Sequence, residues 1–270
     1  MEIKTNSNEL YDCGLFFDFP SDVKNSKELT SNLVQNVQKT ELGFLGFSKK
    51  EYLKDCLEGQ ISDSSKKFES ISDSHRQVTE KTIQTEISRL KKLVSSQKTH
   101  IYIFPTFSDF VLNKMNGISG YTPWKDTIFL FVHPKARHIN PYLNMTIAHE
   151  YIHSVSREYH EWSTLLDALV FEGLAELFIT EHFNGHISPW AKALTVEDCR
   201  KYLVQIKKKL KSKNDEDYRD VFFNNKTYPL WAGYSIGYQI VKSYRQKYKN
   251  IKWDELLKKE VKEIFENSVI

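Results

Sequence analysis

His149-Glu150-Tyr151-Ile152-His153 is the stretch of this chain best suited to hold a metal ion. On a helix, residues four apart lie about 40° apart around the axis and one turn up, with roughly 6 Å between Cβ atoms. Two imidazoles so placed can meet one tetrahedral ion, and the carboxylate of Glu150, beside the first of them, can take a proton from a water on that ion. The competing reading is a chance match on a polar helix. The flanking residues Thr146, Ile147, Ala148, Ile152 and Val155 are apolar or small, which argues for a largely buried helix instead. Buried histidines need partners for both ring nitrogens, and a metal with an acceptor behind it supplies them.

Such a site needs a third protein ligand. A His-Glu-x-x-His-x-x-Gly-x-x-His arrangement would need Gly at 156 and His at 159; the chain has Ser156 and Tyr159, and His160 is one residue out of phase. The alternative is a Glu on a following antiparallel helix. Glu172-Gly173-Leu174-Ala175-Glu176 offers one, with eighteen residues between His153 and Glu172, enough to end one helix, turn, and make two turns of the next. A solvated Glu pair fits poorly there, because Leu165, Leu166, Ala168, Leu169, Val170, Phe171, Leu174 and Ala175 make that helix apolar almost all round. A carboxylate buried among them needs a cation. Glu172 is therefore read as the third ligand. Glu176, one turn on, can accept a hydrogen bond from the outer nitrogen of a ligand His, and Gly173 clears a side chain where two helices approach closely.

The elements that must position these residues follow from punctuation and period. Asn140-Pro141 opens a helix through about Glu158, Ser163 caps a second over Thr164–Phe183, and Asn184-Gly185 closes it. Thr195 with Glu197 and Asp198 starts a third, followed by Tyr228–Tyr248 and Trp253–Asn267. Upstream, Ile101–Phe104 and Thr127–Val132 read as strands, with Gly117, Gly120 and Pro123 punctuating the residues between them. Ser26–Ser96 is polar and helical in period, with Leu29, Leu33 and Val37 on one stripe and Val78, Ile83, Ile87, Leu90 and Val94 on another. Gly43, Gly46 and the Ser-rich stretch Ser64–Ser74 break it into a bundle of two or three helices. The expected fold is α+β and mostly helical: an N-terminal helical region over 1–98, then a domain over 99–270 with a small sheet (99–135), active-site helices (140–184) and a C-terminal helical part (195–270).

The whole-chain properties exclude several classes. The 270 residues suffice for one domain or two small ones, and 40% hydrophobic with 27% charged residues is ordinary for a soluble protein. A formal charge of +3 gives no argument for nucleic acid, and Lys207–Lys211 reads as a solvated helix surface. No apolar run is long enough for a membrane span, and the N-terminus lacks the apolar core of a secretory signal. Cys13, Cys56 and Cys199 are widely spaced and read as free thiols in a reducing compartment, so a cytoplasmic location is expected.

Taken together, HEYIH, the eighteen-residue interval and EGLAE resemble the gluzincin peptidases, at the spacing of the M1-type aminopeptidase branch. With GISGYTPW, LLDALVFEGLAELF and YPLWAGYSIGYQIV, the chain looks most like the YjaZ-type family of predicted zinc-dependent proteases over Gly117 to about Tyr244. The resemblance implies zinc on His149, His153 and Glu172, one ion per chain, Glu150 as base and Glu176 behind a ligand His. It also implies a later Tyr that stabilises the oxyanion; Tyr234, 62 residues beyond Glu172, fits, and Tyr238 competes. One departure concerns specificity. The amine-gripping Glu of the aminopeptidase strand has no counterpart in Gly117–Trp124, which has no acidic residue. This favours an endopeptidase or a processing enzyme, with Thr127–Val132 open to pairing with a peptide.

The implied activity is hydrolysis of peptide bonds in a peptide or protein substrate, through a zinc-bound water activated by Glu150. The alternatives are a zinc-bound domain of the same kind serving as a non-catalytic binding or regulatory module, and a helical interaction protein with an accidental motif. Of the remaining histidines, His133, His138, His160 and His186 read as surface residues, and His182 as the one candidate accessory ligand; the five tryptophans read as core.

Overall fold

The computed structural model describes residues 4–40, 47–61, 68–137, 139–224 and 226–270. The chain divides into two compact units: residues up to Lys92 with Ser96–Glu150, and Leu93–Ser95 with Tyr151–Ile270. The architecture is α+β and mostly helical, as the sequence implies.

The first unit is built on a mixed sheet of β1 (Lys4–Ser7), β2 (Tyr11–Leu15), β3 (Thr99–Pro105), β4 (Ile118–Trp124) and β5 (Thr127–Val132), in the order β1-β2-β3-β5-β4. β2, β3 and β5 are parallel neighbours, while β1 and β4 pair antiparallel at the two edges. β5 is buried along its whole length, which explains its unbroken apolar run: a strand covered on both faces has no polar side. On one face, Tyr102, Phe104, Phe129 and Phe131 pack with Phe16 against Leu29, Leu33 and Val37 of α1 (Ser26–Gln38) and Leu53, Leu57 and Ile61 of α2 (Phe47–Ile61). The same unit holds α3 (Asp73–Leu93), which buries Ile83, Ile87 and Leu90, and the short α4 (Asp109–Lys114). Asn25 caps α1 by accepting from the Glu28 amide, and Ser108 caps α4 in the same way.

Three expectations change here. The first 98 residues are not purely helical: β2 lies beside β3 with Tyr11 opposite Thr99, so the sheet incorporates the strands of residues 4–15. Strands of four and five residues, one containing Gly14, are too short to read as period-2 segments. Second, Thr127–Val132 is interior, paired on both sides by β3 and β4, so it has no edge to offer a peptide. β4 is the edge strand on that side. Third, the helix expected from Asn140 starts at Ile139, giving α5 (Ile139–Ser156). Pro141 then sits in the first turn, where its missing N–H has no intrahelical acceptor to lose. Gly43, Gly46, residues 64–67 and His138 lie outside the described residues.

In the second unit, α6 (Leu165–His182) is buried at nearly every position from Leu165 to Ile179. Its cap is Thr164 rather than Ser163: Thr164 Oγ1 accepts from the Asp167 amide, and the Asp167 carboxylate accepts from the Thr164 amide. Around it lie α7 (Val196–Ile206), capped by Thr195 as expected, α8 (Asp215–Phe222), α9 (Ala232–Lys247), α10 (Trp253–Leu256) and α11 (Val261–Glu266). α9 starts four residues later than anticipated, because Pro229 and the left-handed Trp231 (φ 68°) cannot be helical there. The single helix expected over Trp253–Asn267 is two short ones, although Trp253, Leu256, Val261 and Ile264 keep a helical spacing of buried residues. α8 has no counterpart in the expected elements. No helix among the described residues is long and apolar enough to cross a membrane.

Candidate metal centre

α5 presents His149 and His153 one turn apart, as the spacing requires. The division between the units falls inside this continuous helix, after Glu150. Tyr151, fully buried, anchors the helix beyond that point by donating from its hydroxyl to the Val94 carbonyl at 2.6 Å. His153 Nε2 lies 3.4 Å from Glu172 Oε2, and both side chains are almost fully buried. With His149 they form a group whose ligand atoms all lie within 4.8 Å of one another, the one such group among the described residues.

The donor set fits zinc. Zinc bonds of about 2.0–2.2 Å to imidazole nitrogen and carboxylate oxygen, arranged tetrahedrally, put neighbouring ligand atoms about 3.4 Å apart. The His153–Glu172 separation has that value. Two neutral imidazoles and one carboxylate also leave a +2 ion with one net positive charge and a fourth position open, the pattern of catalytic rather than structural zinc sites.

Glu150 is 5% exposed and turned toward β4. Thr122 Oγ1 donates to Glu150 Oε2 at 2.7 Å and lies 3.0 Å from the Glu150 carbonyl oxygen. Two residues earlier on the strand, Gly120 has no side chain, and a Cβ there would fall 2.6 Å from Glu150 Oε1. A one-residue bulge between Tyr121 and Trp124 shapes this part of β4. It places Trp124 on the same aromatic face as Tyr121, opposite the face on which Gly120 and Thr122 meet Glu150. The backbone of β4 is divided as well. The His133 amide donates to the Gly117 carbonyl, so by alternation Ser119 and Tyr121 bond to β5, while Gly120 turns its amide and carbonyl to the outer edge; the Ile118 amide donates to the Met115 carbonyl.

Neighbours of the other expected site residues are specific. His153 is met edge-on by Trp162 at 4.7 Å between ring centroids, Trp162 stacks on Phe171, and the Arg157 guanidinium lies over the Trp162 ring. Glu176, buried, accepts the Trp190 indole N–H at 2.6 Å. Tyr234 is half-buried, its ring edge-on to Phe222 and flanked by Trp190 and Phe223. Tyr238, one turn on, is 1% exposed, and its hydroxyl has no hydrogen-bond partner among the described residues. His182 packs on Phe178 and is outside the metal-ligand group. His133 accepts from the Lys135 amide and is buried, and His160 bonds the Leu257 carbonyl. Thr122, Trp162 and Trp190 were not anticipated as site residues. For Thr122 the available trace was Gly120 and Thr122 two apart on a strand, hence on one face.

A mostly helical α+β chain that gathers two His and one Glu into a single buried group, with a further Glu next to the first His, has the makings of a zinc hydrolase. The chain belongs to the family described as predicted Zn-dependent protease (DUF2268), whose model matches residues 79–266. That span takes in most of α3, the strands β3, β4 and β5, and every residue of the metal-ligand group. No curated protein and no solved structure matches the chain significantly.

Proposed function

We propose that the chain is a zinc-dependent peptidase of the gluzincin kind, with His149, His153 and Glu172 holding one zinc ion, Glu150 as general base and Tyr234 as oxyanion donor. The observation that carries this reading is the 3.4 Å spacing of His153 Nε2 and Glu172 Oε2 in a group shared with His149. Bound there, zinc supplies Lewis-acid polarisation of the scissile carbonyl and a water acidic enough to react near neutral pH. Glu150, adjacent to a ligand but not itself one, takes the proton of the attacking water and hands it to the leaving amine. Tyr234 donates from its hydroxyl to the carbonyl oxygen as negative charge builds there.

A peptide substrate is supported by the edge of β4. Its outward amide and carbonyl at Gly120 can pair with an extended backbone, and the same glycine lies against the Glu150 carboxylate. Ile118–Trp124 has no acidic side chain to hold a free amino terminus, which favours cleavage within chains or specialised processing over amino-terminal trimming. A reducing, cytoplasmic setting accords with the three free cysteines.

The test is cleavage of a diverse peptide library by the zinc-loaded protein, with Glu150→Gln as control. Cleavage by the wild type and none by the variant supports the reading. One equivalent of zinc without turnover of any peptide leaves a metal-bound binding module in its place.

A further inference from the structure

We propose that Thr122 is a positioning residue for the general base: its hydroxyl fixes the Glu150 carboxylate on β4, in a seat that Gly120 keeps open. This deepens the peptidase reading and rests on it. A Glu side chain has three rotatable bonds, and a base that must meet one water within hydrogen-bond distance gains from losing that freedom before substrate arrives. Here the restraint is visible. Thr122 Oγ1 stands 2.7 Å from Oε2, both residues are at most 5% exposed, and Thr122 is β-branched on a strand, so its own χ1 is restricted. The restraint acts on Oε2, while Oε1 lies above Gly120.

The placement also ties substrate to base. Gly120 turns its amide and carbonyl to the outer edge of β4, away from β5, while its missing side chain makes room for Glu150. A peptide paired at that edge is thus bound by the same three-residue stretch of strand, Gly120–Thr122, that holds the carboxylate. Any larger residue at 120 would disturb both. The bulge beyond Tyr121 belongs to the same device, since it changes which later residues share the face of Glu150.

The experiment compares Thr122→Val, which keeps the shape and removes the hydroxyl, with Thr122→Ser, which keeps the hydroxyl. Thr127→Val serves as control: Thr127 is a buried strand threonine whose hydroxyl donates to Asp126. With the best library peptide and zinc-loaded protein, kcat of Thr122→Val is expected to fall about 10- to 100-fold, with KM within about twofold. Zinc content should stay at the wild-type level, and Thr122→Ser and Thr127→Val should keep wild-type turnover within about threefold. Wild-type kcat in Thr122→Val, equal impairment in Thr122→Ser, or loss of zinc would each overturn the assignment. A second measurement needs no activity: melting temperatures of metal-free Thr122→Val, Glu150→Ala and the double variant. If the hydroxyl holds the carboxylate, Thr122→Val lowers the melting temperature more in the wild-type background than in Glu150→Ala, where only the bond to the residue-150 carbonyl remains, and additive shifts sink the proposal. A wild type that cleaves nothing defeats the peptidase reading, and the melting cycle still decides whether Thr122 holds Glu150.

Discussion

The carbonyl oxygen of Gly237 in α9 occupies the place where a side chain on Gly173 of α6 would begin. The approach is reciprocal, since a Cβ on Gly237 would run into the carbonyl of Leu169. The two helices cross backbone against backbone at this point, directly beside Glu172. In Gly173→Ala the obstacle is main chain, which cannot rotate aside as a side chain can. The expected cost is about 3 kcal/mol, at the upper end of overpacking penalties. For a domain of this size that corresponds to a fall in melting temperature of roughly 6–12 °C, measurable by calorimetry. A melting temperature within about 2 °C of wild type would mean that the helices can part without penalty.

Metal binding separates the two glutamates of α6. Glu172→Ala removes a ligand and should cost most of the zinc, as should His149→Ala with His153→Ala. Glu176 accepts the Trp190 indole N–H, so Glu176→Ala should retain zinc with a loss of about 10- to 100-fold in affinity or activity at most. Trp190→Phe, which deletes only that donor and part of a ring, should follow Glu176→Ala rather than Glu172→Ala. Elemental analysis of the purified variants decides the order. Zinc retained in Glu172→Ala and lost in Glu176→Ala would make Glu176 the ligand.

The parts of this site that a reader of the sequence can find are those set by helix geometry. His149 and His153 follow from a period of 3.6, and Glu172 from the length of chain a helical hairpin needs. The Thr122–Glu150 contact joins residues 28 apart across a strand and a helix, a pairing that no local spacing marks. The Trp162 ring beside His153 depends on the path of the link between α5 and α6. In the fold, β3 and β5 were legible from dense β-branched and aromatic runs, whereas β1 and β2 gain their stability from pairing with β3, which composition does not reveal. α8 is a different case. Asn214 accepting from the Glu216 amide, with Asp215, Glu216 and Asp217 in the first turn, is a readable helix start that the apolar spacing alone does not flag.

Replacing the base should separate chemistry from binding. Glu150→Gln keeps the size of the side chain, and its amide can still accept from Thr122, but it takes no proton at neutral pH. Zinc content and melting temperature should hold while peptide hydrolysis falls below detection. Activity within tenfold of wild type in a peptide assay would remove Glu150 from this role.

The cysteines provide an independent check on packing. Burial pushes the Cys56 and Cys199 thiols up to about 12, and burial with the nearby Glu80 and Asp12 charges raises Cys13 as well. At pH 8 the reactive thiolate of Cys56 or Cys199 would then be roughly one part in ten thousand of the folded population. The native protein should therefore resist a thiol reagent at pH 8, and all three cysteines should label once it is unfolded. The sign for stability follows: the neutral thiols favour the fold fully below their unfolded value of about 8.5, and this contribution declines as pH rises from there toward 12. Prompt labelling of the native protein at Cys199 would show that α7 opens readily.

The last prediction concerns the two tyrosines of α9. An oxyanion donor must reach the substrate, so a hydroxyl sealed inside the helix packing cannot serve without the helix moving. Tyr238 is 1% exposed and its hydroxyl has no hydrogen-bond partner among the described residues. Tyr234 is half-buried, with its ring held at the edge by Phe222 and flanked by Phe223 and Trp190, an arrangement that fixes the ring and leaves part of it accessible. Gly233 serves this arrangement, since a side chain there would run into the Phe222 ring, whereas Gly237 serves the crossing with α6. Removing the Tyr234 hydroxyl should lower kcat by about 100- to 1000-fold, or roughly 3–4 kcal/mol of barrier, with KM, zinc content and melting temperature little changed. Tyr238→Phe should leave kcat alone and, because it deletes a buried hydroxyl with no partner, should hold or raise the melting temperature. Steady-state kinetics and melting curves on the two variants side by side give the answer. A crippled Tyr238→Phe beside a fully active Tyr234→Phe would move the donor one turn along α9, and two fully active variants would mean that neither hydroxyl stabilises the developing charge.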